Sequence, residues 1–160
     1  MPRLLAVANP RLRMVTIFPL QFATAADRNA VIELLQAAGL PSSDVPTTLD
    51  GFLLARDEEV LLGTVGLEVF GSVALLRSLA VVPAWRQQGL GQQLTRAILQ
   101  HATDLSVRSV YLITTTAESF FHQAGFESLP RSETPTSIQQ TAQFTGVCPA
   151  SAIVMVKRLP

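Results

Sequence analysis

Short runs of apolar and β-branched residues alternate along the chain with stretches whose apolar residues recur every three or four positions. The short runs predict β strands, and the recurring stretches predict amphipathic helices. The predicted strands cover residues 14–20, 52–55, 60–70, 73–82, 107–116, 126–129 and 151–159.

Capping residues mark where the helical patterns begin and end. Thr24 is a suitable N-cap for a helix that Gly39 and Pro41 end, and Gly91 opens a helix whose apolar face continues to Leu105. Shorter helices are predicted at residues 117–124, within 130–147, and within 42–50, where Ser43 or Asp44 begins the helix.

The order of the elements predicts a mixed sheet. Three strands at 52–55, 60–70 and 73–82 follow one another through short turns, so they pair antiparallel. The helix after Gly91 then connects residues 73–82 to the strand at 107–116, and this strand–helix–strand unit requires a parallel pair with a right-handed crossover.

Composition and charge narrow the possible functions. A chain of 160 residues with 48% hydrophobic residues fits one compact domain, which we assign to residues 14–160, after a flexible tail at 1–13. Twelve basic and twelve acidic residues cancel, so neither nucleic acid nor a membrane surface is an expected partner, whereas a homodimer remains open. One cysteine, Cys148, excludes an internal disulfide and a multi-cysteine metal cluster, and the chain has no apolar run long enough to span a membrane. We therefore expect a cytoplasmic protein without a metal.

The turn after the strand at 73–82 is the strongest candidate for a binding site. Its sequence is Arg-Gln-Gln-Gly-Leu-Gly, from Arg86 to Gly91, and it opens a helix. Unpaired backbone N–H groups at a helix start favour a phosphate. A dinucleotide fingerprint is excluded because Leu94 replaces the third glycine, and a nucleotide-triphosphate loop is excluded because no Gly-Lys-Ser/Thr follows. A structural turn, in which Gly91 relieves crowding between helix and sheet, is the alternative.

Two motifs in the right order resemble those of the GNAT family of acetyl-CoA-dependent N-acetyltransferases. The first is Arg86-Gln87-Gln88-Gly89-Leu90-Gly91, and the second is the ten-residue segment at 117–126, Ala-Glu-Ser-Phe-Phe-His-Gln-Ala-Gly-Phe. With the strand order, the resemblance covers residues 14–158. It implies an α/β (α+β) fold: a mixed, mostly antiparallel sheet of six to seven strands flanked by helices, with a splayed parallel pair at the cofactor site.

The resemblance also implies that the cofactor is acetyl-CoA and that its contacts follow the family pattern. The N–H groups from Gln87 to Gln92 would hold the pyrophosphate, with Arg86 beside them, and a backbone N–H near Ala80 or Val81 would polarise the thioester carbonyl. The implied cofactor-binding residues are Leu79, Ala80, Val81, Arg86, Gln87, Gln88, Gly89, Leu90, Gly91, Gln92, Thr114 and Phe121.

Catalytic candidates follow from the need to remove a proton from an amine and to protonate a thiolate. Glu68 lies in the strand region where several family members carry a general base. If Gly71 and Ser72 form a two-residue turn, Leu75 lies opposite Glu68 and Arg77 lies diagonally on the same face, so a Glu68–Arg77 ion pair is an equally good interpretation.

The general acid departs from the family pattern. Phe121 stands where the family commonly has tyrosine, and it offers no hydroxyl. Ser119 and Tyr111 are alternative proton donors between which the sequence does not decide. Thr114 stands where the family commonly has asparagine.

The acceptor amine is suggested by a finer resemblance, to the GNAT branch encoded in arsenic-resistance gene clusters. Segments at 75–81, 111–117 and 136–152 carry this likeness. It implies a small amino-acid-like substrate held by Arg77 and Ser78. Two other functions remain open: acetylation of a protein or peptide, and a non-catalytic module that binds coenzyme A.

Overall fold

The computed structural model describes residues 3–5 and 15–160. Arg3–Leu5 (β1) pairs antiparallel with Val15–Ile17 (β2), and the rest of the predicted tail at 1–13 lies outside the described residues. The remaining strands and α helices are β3 (Leu20–Phe22), α1 (Arg28–Ala37), β4 (Phe52–Asp57), β5 (Val60–Phe70), β6 (Val73–Val81), α2 (Leu90–Asp104), β7 (Ser109–Thr114), α3 (Glu118–Gln123), β8 (Glu127–Leu129), α4 (Thr136–Gln139) and β9 (Ile153–Arg158).

Seven strands form one mixed sheet in the order β3-β4-β5-β6-β7-β9-β8. Only the β6–β7 pair within it is parallel, and every other neighbouring pair is antiparallel. Helix α2 connects the parallel strands, as the sequence pattern requires. The predicted fold class is therefore confirmed.

The predicted strand at 14–20 is wrong in its extent. Within the described residues it is divided into β2, which ends at Ile17, and β3, which begins at Leu20. Pro19 lacks the N–H that would continue a ladder. The backbone of Phe18 is bound instead by the side-chain amide of Gln93, with Phe18 N–H donating to Oε1 at 3.1 Å and Nε2 donating to Phe18 O at 2.8 Å.

The predicted short helix within residues 42–50 is also wrong, since this segment consists of turns and irregular backbone. Two of its carbonyl groups accept hydrogen bonds from a side chain of α1, and Val45 N–H donates a turn-type bond to Ser42 O at 3.3 Å. Arg28 donates from Nε to Pro46 O and from Nη2 to Val45 O, both at 3.0 Å. Pro46 in addition offers no N–H for a helical bond.

Helices cover both faces of the sheet. On one face, α2 buries Leu94 and Ile98 against strands β4 to β6, while on the other face α1 buries Leu35 against Leu54. The close approach of α2 is made possible by Gly63 in β5, where a Cβ atom would lie 2.9 Å from Leu94 Cδ1.

Strand β6 leaves its parallel neighbour after three residues. Val73, Ala74 and Leu75 pair with β7, and no pair with β7 follows. Beyond this point β6 stays with β5 but contains a bulge, because the register passes from Gly66↔Arg77 to Thr64↔Ala80. Ser78 lies in this bulge with a left-handed φ of +58°. The result is a gap between β6 and β7 at the centre of the sheet.

Candidate functional site

A cleft of about 1450 Å³ occupies the gap between the diverging strands. Its two central walls are residues 76–81 of β6 and residues 112–117 at the end of β7. At one end, beyond Val81, the cleft is lined by residues of the turn before α2, from Arg86 to Gln92. At the other end, near Arg77, it is lined by residues 143–149, which include a π-helical turn, and the loop after α1, at residues 38–43, also contributes to the lining.

The turn before α2 is exposed and has the geometry of an anion site. Gln87 and Gly89 adopt left-handed φ values of +63° and +85°. The first backbone hydrogen bond of this helix runs from Gln93 N–H to Gly89 O, at 3.0 Å. The N–H groups of the preceding first turn, Leu90 to Gln92, therefore have no intrahelical partner.

Crowding between helix and sheet does not explain the glycines of this turn. A Cβ atom at Gly89 would have no neighbour within 4 Å, and one at Gly91 would lie 3.5 Å from Phe120, an ordinary contact. Crowding is instead found at Gly63, as described above. Gly89 is required by its positive φ, and Gly91 lines the cleft.

The backbone amide of Val81, at the end of β6, faces the gap. Val82 N–H donates to Leu62 O of β5 at 2.9 Å. The carbonyl of Ala80 also points to β5, because its oxygen lies 3.2 Å from the position that a Cβ atom on Gly63 of β5 would occupy. Because backbone groups alternate in direction along an antiparallel strand, the N–H of Val81 points away from β5, into the gap. Of the two amides predicted to polarise a carbonyl, the geometry thus favours Val81, while Ala80 lines the cleft.

Arg77 is the centre of a buried charged cluster at the other end of the cleft. Its Nη1 donates to Glu68 Oε1 at 2.5 Å, its Nη2 lies 3.0 Å from Asp44 Oδ1, and its Nε donates to Ser78 Oγ at 3.1 Å. The Nη2–Oδ1 contact is close, but it lacks the alignment of a hydrogen bond. The predicted register and the predicted Glu68–Arg77 ion pair are confirmed, since Glu68 pairs with Leu75.

The cluster continues to the thiol of Cys148 at the same end of the cleft. Gln143 donates from Nε2 to Asp44 Oδ2 at 3.1 Å and accepts from Cys148 Sγ at 3.4 Å. Burial raises the pKa of the Cys148 thiol, Asp44 raises this pKa further, and Arg131 and Arg77 oppose the rise. Cys148 therefore keeps its proton at neutral pH.

The structure brings most of the predicted site residues to the cleft, but not all of them. Four predicted residues do not line the cleft: Glu68, Gln88, Leu90 and Ser119. The side chain of Leu90 is buried in the core. The predicted residues that line the cleft are Arg77, Ser78, Leu79, Ala80, Val81, Arg86, Gln87, Gly89, Gly91, Gln92, Thr114 and Phe121.

Neither predicted alternative for the general acid reaches the cleft. Ser119 is exposed on α3, and Tyr111 is buried in a separate apolar cluster with Leu75. Phe121 is buried beside Phe120 and contributes an apolar wall. The hydroxyl of Thr114 accepts a hydrogen bond from Ala117 N–H at 3.0 Å, which fixes the start of α3.

The sequence does not predict Asp44 and Gln143 as members of this cluster. Its local pattern indicates Asp44 only as the start of a helix, and Gln143 lies 99 positions further along the chain. No local pattern links the two residues. The one available signal was the unusual concentration of polar side chains around two otherwise irregular segments.

Two other classes of site are absent from the described part of the chain. None of its helices is long and apolar enough to cross a membrane. No group of three or more His, Cys, Asp or Glu residues there is arranged to hold a metal ion.

Comparison with known proteins gives a family match. A model described as an acetyltransferase (GNAT) domain matches residues 49–128, which are half of the chain. Among curated proteins, the chain is similar to an amino-acid acetyltransferase of Aeromonas salmonicida (strain A449), with 24% identity over 94 residues. The match covers 58% of this chain and 21% of that protein, so the chain spans about a fifth of the length of its curated relative.

Solved structures share the fold. N-acetylglutamate synthase from Neisseria gonorrhoeae, complexed with coenzyme A and N-acetyl-glutamate, has a TM-score of 0.76 at 20% identity, over 90% of this chain and 35% of that one. Rv2747 from Mycobacterium tuberculosis, in complex with CoA and NLQ, has a TM-score of 0.74 at 20% identity, over 89% and 99%. The relatives named here include amino-acid acetyltransferases and give no support to an arsenic-resistance branch.

The environment of Cys148 predicts a pH-dependent reactivity. Because only the thiolate is alkylated, a raised pKa shifts the midpoint of alkylation by iodoacetamide to higher pH in the folded protein than in urea. Asp44→Asn removes one cause of the rise, so it should lower the folded midpoint. The exposed Asp104→Asn serves as the matched control and should leave the midpoint unchanged. Equal midpoints in folded and unfolded wild-type protein would contradict the assignment.

Proposed function

Because the chain belongs to the GNAT acetyltransferase family, we propose that it transfers an acetyl group from acetyl-CoA to the amine of a small amino acid. The observation that carries this proposal is the cleft between β6 and β7, which has a helix start with free N–H groups at one end and a charged cluster at the other. The first end suits a pyrophosphate, and the second suits a polar acceptor.

The residues of the cleft fit coenzyme A. The N–H groups of Leu90, Gly91 and Gln92 have no intrahelical partner and would receive the pyrophosphate, together with the nearby cation of Arg86. Arg86 is held in place by its Nε, which donates to Val81 O at 3.0 Å. The unpaired edge of β6, at residues 79–81, would bond the amides of the pantetheine arm as an added strand does. When bound, acetyl-CoA supplies an activated thioester.

Two groups of the chain are our candidates to assist the transfer. The N–H of Val81 faces the gap and would donate to the carbonyl oxygen, where negative charge develops. Glu68 is the candidate base that would take a proton from the acceptor amine. Its carboxylate is bound to Arg77 in this structure, so it becomes available only when that ion pair opens.

Departure of the thiolate does not require the missing tyrosine. A thiol of ordinary pKa, about 8.5, gives a thiolate that is a good leaving group near neutral pH. Protonation of this thiolate therefore increases the rate of its departure less than protonation would for an alkoxide. Phe121 then acts through its shape, as an apolar wall of the cleft.

The acceptor is inferred from the relatives and from the charge of the cleft. One relative is an amino-acid acetyltransferase, and one structural neighbour was solved with N-acetyl-glutamate. The cleft lining contains no aspartate or glutamate and two arginines, Arg77 and Arg86. Such a lining favours an acceptor that carries a carboxylate, and we propose Arg77 and Ser78 as its ligands.

Release of free coenzyme A thiol from acetyl-CoA, measured against a panel of amines, tests the proposed function. We expect release with free amino acids, including glutamate-like ones, and little release with peptides or with acceptors that lack a carboxylate. Release with peptides alone would indicate a protein acetyltransferase. Tight binding of acetyl-CoA without thiol release would indicate a non-catalytic module that binds coenzyme A. Phe121, which stands where the family commonly has tyrosine, leaves this alternative open.

Gly91→Val tests the cofactor end of the cleft. The position tolerates a Cβ, but the two methyl groups of valine would project between Val81 and Phe120 into the proposed path of the cofactor. We expect coenzyme A affinity to fall at least about tenfold with the melting temperature nearly unchanged. Gln100→Val places the same side chain on the exposed part of α2 and should bind normally. Equal affinity of the two variants would refute the site.

A further inference from the structure

We propose that Arg77 recognises the carboxylate of the acceptor by exchange: the acceptor's carboxylate replaces that of Glu68, while Asp44 keeps the guanidinium in position. This inference rests on the proposed function and deepens it, since it assigns how the cleft selects its acceptor. It also explains how a side chain that is paired in this structure can still bind a substrate.

The two carboxylates that hold Arg77 are not equivalent. The side chain of Asp44 is 8% exposed, whereas that of Glu68 is 28% exposed. Asp44 is held by further bonds, because Gln143 donates to its Oδ2 and Arg77 Nη1 donates to its backbone O at 3.4 Å. Among the described residues, Arg77 is the one recorded partner of the Glu68 carboxylate. Glu68 is therefore the carboxylate that can leave.

Charge requires that one carboxylate leaves when another enters. Arg77 contributes one positive charge, and Asp44 with Glu68 contributes two negative charges, which leaves one negative charge in excess. Addition of a third carboxylate would place two excess negative charges around a guanidinium that is 2% exposed, where charge repulsion is poorly screened. Exchange with Glu68 keeps the excess at one, and it returns the more exposed carboxylate to solvent.

At the acceptor end, one cation lines the cleft, because Arg131 acts on the Cys148 thiol but is not among the lining residues. Arg86 is bound to the carbonyl of Val81 at the start of α2, at the opposite end of the cleft from Gln143 and Cys148. Arg77 is the other arginine of the lining, and the lining has no lysine. One exchangeable cation suits one carboxylate, so an acceptor with a neutral side chain fits better than a dicarboxylic amino acid.

Three nearly isosteric ligands separate these charge states: L-glutamine with one carboxylate, L-glutamate with two, and L-glutamine α-amide with none. Binding to the coenzyme A-loaded protein is measured by calorimetry, which does not depend on turnover. We expect L-glutamine to bind at least about tenfold more tightly than its α-amide and more tightly than L-glutamate. Equal affinity for L-glutamine and its α-amide would overturn carboxylate recognition at Arg77.

Glu68→Gln tests the exchange itself. The substitution keeps the shape of the side chain and removes the competing charge, so the affinity for L-glutamine should rise about threefold to fivefold, while that for the α-amide stays constant. Glu59→Gln, at an exposed turn, removes the same charge far from the cluster and should change neither affinity. Weaker or unchanged binding of L-glutamine to the Glu68→Gln variant would overturn the exchange.

A crystal structure with coenzyme A and L-glutamine gives a second, independent reading. The exchange requires Arg77 Nη1 bound to the ligand carboxylate, Glu68 displaced and the Asp44 contact retained. An intact Glu68–Arg77 pair beside a bound ligand would contradict it. Calorimetry and the crystal structure report on binding and do not depend on the thiol-release assay. A result against the exchange would therefore not contradict the proposed acetyl transfer. Absence of thiol release would likewise not affect the test of the exchange.

Discussion

The whole site depends on the loss of pairing between the two parallel strands. After Leu75 and Tyr111, β6 and β7 separate at the centre of a seven-stranded sheet, where an unpaired strand edge would ordinarily be costly. The bulge at Ser78 turns β6 while keeping it paired with β5, so the gap forms without breaking the rest of the sheet. Backbone groups that the sheet does not use become available to a ligand.

The acceptor end is held together by charges that come from distant parts of the chain. Asp44 belongs to the loop after α1, Glu68 and Arg77 belong to a hairpin, and Gln143 belongs to a π-helical turn. A buried guanidinium needs such partners to offset its desolvation. The same contacts that stabilise Arg77 thereby position two irregular segments as walls of the cleft.

The sequence predicted those features that local chemistry determines. The hairpin register followed from the two-residue turn, the parallel pair followed from the helix between its strands, and the glycine turn followed from its motif. Asp44 could not be predicted, because its role depends on a contact with Arg77 across 33 positions. The division of the first strand was missed because the side chain of Gln93 binds the backbone of Phe18 across 75 positions.

Residue-resolved amide hydrogen exchange, with and without saturating coenzyme A, shows whether the gap and the helix start hold the cofactor. We expect slower exchange at the amides of Val81, Leu90, Gly91 and Gln92, since these are the donors that the gap and the helix start leave free. Amides of the exposed turn at Glu58 and Glu59 should be unaffected and serve as the internal control. Unchanged exchange at all four amides in the coenzyme A-saturated protein would contradict the account.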